Sequence, residues 1–148
     1  MKATLLLAAL ALTSACTGVG LAETAKDGTV EMITIARGSY AVETTERKAI
    51  LAATDADYRR SWADLIGESE VPVVDFSSSV VVFLFAGERN TGGWSVEPSA
   101  VNIDGTTVVI DAKVQGPSPG GMVTQAITYP YAVVAIRSRT VEKVSWPQ

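Results

Sequence analysis

One run of six residues does most to limit what this chain can become. Val80-Val81-Val82-Phe83-Leu84-Phe85 is apolar at every position. Side chains alternate between the two faces of a strand, so a strand apolar on both faces must be covered on both. Read from Ser79 to Phe85, this is the central strand of a sheet with a layer on each side. The 148 residues suffice for one such domain. A hydrophobic share of 47% beside 19% charged residues describes a globular chain.

The helix that covers one of those faces is written at Thr54-Asp55-Ala56-Asp57. Thr54 is an N-cap, and the Asp57 carboxylate three residues on resembles a capping box. Tyr58, Trp62, Leu65 and Ile66 follow at helical spacing, with Arg59, Arg60 and Asp64 opposite. This predicts one amphipathic helix over about 55–66, closed at Gly67, with its aromatic stripe laid on a sheet.

The rest of the pattern is β. Val30 to Ile35 is a short strand that ends near Arg37-Gly38-Ser39, with Tyr40 to Val42 as a continuation past a bend. Ala49 to Ala52 is a short apolar piece, and Val71 to Phe76 leads into the central strand. Trp94 to Val101 is interrupted by Pro98, which places it at an edge or a bulge. Asp104-Gly105 is a hairpin turn before Thr106 to Val114. Met122 to Tyr129 and Tyr131 to Ser138 read as two strands parted by Pro130, and Val141 to Trp146 as a short tail. The fold class is mostly β (α+β), an antiparallel β-sandwich or half-open barrel with one helix.

The chain begins with an export signal. Lys2 precedes the apolar run Leu5 to Leu12, which is too short for a bilayer span, and small residues follow. Residues 1–15 are read as the signal peptide. Leu12-Thr13-Ser14-Ala15-Cys16 resembles a lipobox, which would make Cys16, the only cysteine, a lipidated N-terminus; cleavage after Ala22 is the alternative. Residues 16–29 are then a tether and 30–148 a single β domain. The protein is expected outside the cytoplasm, lipid-anchored in the cell envelope, or periplasmic or secreted if cut after Ala22. Loss of Lys2 from 12 basic residues leaves 11 against 16 acidic ones, a net charge of −5. Such a balance gives no footprint for nucleic acid.

No catalytic set emerges. The chain has no histidine, which removes histidine bases, triads and metal ligands together. One cysteine forms neither an internal disulfide nor a cysteine metal centre. Asp55 with Asp57 and Glu68 with Glu70 read as a helix start and a solvated loop, and Ser77, Ser78 and Ser79 stand in no nucleophile context. No cofactor, no metal and no enzymatic activity are expected. Two loops stand out instead. Gly87 to Trp94 sets a charged pair, two glycines and a tryptophan side by side, as an interaction loop or as a connection whose Trp94 folds back on the core. Gln115 to Gly121 is a Pro/Gly turn.

The stretches Val82 to Val96 and Pro117 to Tyr131 resemble the signature of the PrcB C-terminal domain family, carried by Thr91-Gly92-Gly93-Trp94 and Met122-Val123-Thr124-Gln125. The likeness spans about residues 30–138. It implies a secreted or lipid-anchored β-domain without known catalysis, in a family named for a lipoprotein that associates with and stabilises a surface protease complex. On that resemblance the chain binds or stabilises a partner protein, an envelope protease being one class. The expected contact residues are Arg89, Thr91, Gly92, Gly93 and Trp94, with Gln125 and Tyr131 near them. A weaker likeness is to chagasin-type protease inhibitors. Asn90 to Trp94, Gly116 to Gly121 and Tyr129-Pro130-Tyr131 partly echo their three loops, but Asn90 is not followed by proline and Tyr129 replaces an arginine. A structural envelope lipoprotein with no discrete site is the third reading.

Overall fold

The computed structural model describes residues 30–67 and 70–148. The signal segment, Cys16, the tether 16–29 and Glu68 lie outside the described residues. Among the described residues, seven strands and one helix follow in the order β1 Met32–Gly38, β2 Lys48–Ala52, α1 Asp55–Leu65, β3 Val80–Phe85, β4 Ser95–Asp104, β5 Thr107–Gln115, β6 Tyr131–Ile136 and β7 Lys143–Ser145. They build two sheets, β1-β6-β3-β2 and β4-β5-β7, which do not close into a barrel. The fold is a β-sandwich with one helix on its outer face.

The six-residue apolar run is β3, and all six side chains are buried. Val80, Val82 and Leu84 face the second sheet, where they pack with Val96, Val101, Val108 and Ile110. Val81, Phe83 and Phe85 face α1, where they pack with Tyr58 and Trp62. Each such side chain contributes roughly 1.5–3 kcal/mol when fully buried. A strand with a polar face would leave one layer without this gain, so the sequence of β3 requires both.

Helix α1 starts where its cap predicts. Thr54 Oγ1 accepts the Asp57 N–H at 3.1 Å and donates to the Asp57 carboxylate at 2.7 Å. Tyr58 and Trp62 are its buried anchors. Their rings meet edge to face at 5.7 Å, and Tyr58 lies 6.0 Å from Phe83. The Ser77-Ser78-Ser79 run belongs to a turn before β3. Asp75 accepts from the Ser77 N–H and the Ser78 hydroxyl, and both bonds hold its carboxyl below the usual range.

Three expectations need correction. Met122 to Tyr129 is not a strand, and only Thr128 and Tyr129 make isolated bridges. Its backbone groups bond to a loop rather than to a ladder, as described below. Strand β1 ends at Gly38, and beyond it Tyr40 makes only a single bridge to Tyr129. The sandwich is not wholly antiparallel, because the C-terminal tail forms β7 and pairs in parallel with β5. Pro98 sits in β4, an edge strand, and the register shifts between Pro98 and Ala100, so the edge and the bulge expected for it both occur.

Candidate functional site

The two loops singled out by sequence lie against each other, and the topology requires it. One runs from β3 in the first sheet to β4 in the second. The other returns from β5 in the second sheet to β6 in the first. The strands at both ends are partners: Phe85 pairs with Tyr131, and Ser95 with Gln115. The two crossings therefore start and finish side by side.

Backbone bonds join them along their length. Ala86 N–H donates to Pro130 C=O at 2.9 Å. Arg89 and Thr128 exchange both N–H···O bonds, at 2.8 and 2.9 Å. Gly92 N–H donates to Thr124 C=O at 2.9 Å. The fully buried Thr128 adds a bond from its hydroxyl to Thr91 C=O at 2.8 Å. These bonds use the backbone groups that a strand over 122–129 would have needed for a ladder.

The glycines make this approach possible. A Cβ on Gly92 would run into the Thr124 hydroxyl. Gly93 has φ +80°, and a Cβ there would sit 2.9 Å from Pro117 Cβ and 3.0 Å from Val123 Cγ1. Such a pair lets the backbone turn or approach a partner closely, and here the protein's own second loop lies against it.

Trp94 is half-buried just before β4, with its ring over Gly116. Its Nε1 donates to Thr91 Oγ1 at 3.3 Å. The Arg89 guanidinium lies 4.9 Å from the Trp94 ring centre and donates to Ala86 C=O at 3.0 Å. Arg89, Thr91, Gly92, Gly93 and Trp94 thus form one braced unit. Exposed Gln125 follows Thr124 on the facing loop, beside an exposed Met122 and Ile127.

Tyr131 does not join them. It lies on the helix side of the first sheet, 6.4 Å ring to ring from Phe85, with its ring against Gly38. Burial raises its phenol above the ordinary value. Strand alternation puts it there, because Tyr131 is paired with Phe85 and shares its face. Tyr129 is nearer the loop: its hydroxyl donates to Glu88 at 3.3 Å, and burial, then the Glu88 and Glu43 carboxylates, hold its phenol high.

Sequence reasoning missed Thr128 and a second arginine, Arg47. The Arg47 guanidinium stacks on Trp146 at 3.9 Å and donates to Pro147 C=O at 2.7 Å. No local motif marks either residue. Their roles come from segments more than thirty positions away in the chain.

With this geometry in hand, residues 80–137 match the family model described as PrcB C-terminal. This segment is similar to the PrcB C-terminal family. The match covers β3 to β6 and both crossing loops, which are the parts that carried the resemblance. No curated protein and no solved structure matches the chain.

Proposed function

We propose that this protein is a non-enzymatic, extracytoplasmic module, anchored through lipidated Cys16, that binds and stabilises a partner protein. An envelope protease is the partner class suggested by the PrcB family. The observation that supports this most is the braced platform at one end of the sandwich. Trp94 and Arg89 are held in fixed positions by bonds to their own loop, and Met122 on the facing loop is fully exposed. Tryptophan and arginine in fixed positions lose little entropy on binding, and they dominate many interfaces. The absence of histidine from the sequence supports a role without acid–base catalysis.

Affinity capture from native membranes tests the reading, with the processed protein and its Trp94→Ala variant side by side. We expect one stoichiometric partner, reduced at least about tenfold in the variant. The same partner recovered at equal yield from the variant would remove the loop from the interface. No partner in either sample would leave a structural envelope lipoprotein. Inhibition of a papain-type enzyme by the purified domain would instead favour the protease-inhibitor reading.

A further inference from the structure

The first crossing loop passes close to the segment that enters β2. Gly87 is packed so tightly there that a Cβ on it would lie 2.9 Å from Thr45 C=O and 3.1 Å from Arg47 N. Glu88 N–H donates to the same Thr45 carbonyl at 3.3 Å. This contact brings the backbone of Arg47 against the loop that carries Arg89, and each guanidinium lies over a tryptophan: Arg47 at 3.9 Å from Trp146, and Arg89 at 4.9 Å from Trp94.

Neither arginine is held in an ion pair among the described residues, where the ion pairs are Arg37–Glu97, Arg59–Asp55 and Arg137–Glu31. Glu88, next to Arg89 in the chain, instead receives the Tyr129 hydroxyl. The two cations repel: burial, and then the charge of Arg89, lowers the affinity of Arg47 for its proton. The same crossing holds every buried side-chain polar atom without a partner among the described residues, namely Thr44 Oγ1, Arg47 Nε and Arg89 Nε. Buried polar groups are normally satisfied, and adjacent like charges normally have a counter-charge.

We propose that Arg47 and Arg89, each laid on a tryptophan, form a paired-guanidinium site that receives a carboxylate from an acidic segment of the partner protein. This rests on the partner-binding reading above. It extends the contact surface to Arg47 and Trp146 and gives the partner a charge sign. Arginine suits the task because its planar fork takes both oxygens of a carboxylate while its face stays on an aromatic ring. In a chain of net charge −4 this is a local cationic spot that steers an acidic segment to one place.

The test is a titration of the processed protein followed by NMR of the arginine Nε–Hε and tryptophan indole N–H signals. The probe is a capped hexaglutamate peptide, with capped hexaglutamine as control. We expect saturable shifts at Arg47, Arg89, Trp94 and Trp146 with hexaglutamate only. Arg59, already paired with Asp55, should stay unmoved. Arg89→Lys keeps the charge and loses the fork, and should bind at least about tenfold more weakly. Four results would each overturn the proposal: no saturable shift, equal shifts at Arg59, wild-type binding by Arg89→Lys, or sodium sulfate saturating the site at the peptide's concentration. The wild-type titration decides the matter even if the variant does not fold. It also needs no partner. A negative titration beside successful capture removes the acidic segment alone, whereas a positive one beside failed capture removes the partner reading and leaves a bare anion site.

Discussion

Gly93 shows how one residue carries the contact between the two loops. Its φ of +80° costs any side chain strain, and Pro117 and Val123 already occupy the space where a Cβ would go. Gly93→Ala is expected to lower stability by about 1–3 kcal/mol. Urea denaturation would read this as a lower midpoint at unchanged slope, and an unchanged midpoint would mean that the loops are not packed this tightly. At this scale the sequence was half legible. A Gly-Gly pair before a tryptophan announces that something approaches the backbone. What approaches, Thr124 and Pro117, lies more than twenty positions away, and no local pattern could name it.

At the scale of elements, α1 was the most legible part, because a cap and a 3.6-residue period are local signals. Its docking depends on Tyr58, whose ring is fully buried and whose hydroxyl donates to Pro72 C=O at 3.0 Å. Burial raises this phenol above its ordinary value, with Arg59 opposing and Asp55 adding to the effect. Because the folded form holds the proton more tightly than the unfolded form, the contribution is complete below about pH 10 and is lost as the pH rises through the folded value. Urea midpoints should therefore fall above about pH 10, and Tyr58→Phe should flatten that fall, leaving the part due to Tyr129 and Tyr131. A fall of equal steepness in the variant would place the titrating group elsewhere. The segment 122–129 was misread as a strand because its β-prone residues carry no information about partners. Thr124 and Thr128 spend their backbone groups on the first loop, so no neighbouring strand forms.

Across the whole molecule the family match and the fold have different limits. The match ends at residue 137, yet the sandwich needs the chain beyond it. Val141 is buried, Val144 packs on the core between the sheets, and Trp146 donates to Ala112 C=O at 2.9 Å while carrying Arg47. Removing residues 141–148 should cost about 4 kcal/mol or more, a large share of the ~5–15 kcal/mol that holds a domain folded. Thermal melting of the shortened chain checks this, and an unchanged melting point would show that β7 is dispensable. The same removal should release Arg47, since its aromatic platform and its carbonyl acceptor both lie in the deleted segment.

The sequence by itself determined the layers. An apolar run on both faces of β3, a capped amphipathic helix and a Asp-Gly hairpin dictate a central strand with a helix on one side and a sheet on the other, because burial and periodicity act over a few neighbouring residues. It also brought both crossing loops to attention and showed their likeness to the PrcB C-terminal family. Only the tertiary structure decided that the two loops bond to each other, that Tyr131 faces the helix while the Trp94 ring lies over Gly116, and that the Arg47 backbone meets the loop that carries Arg89. These facts follow from strand order and register, which pair residues far apart in the chain, and such pairings leave no mark on the local sequence.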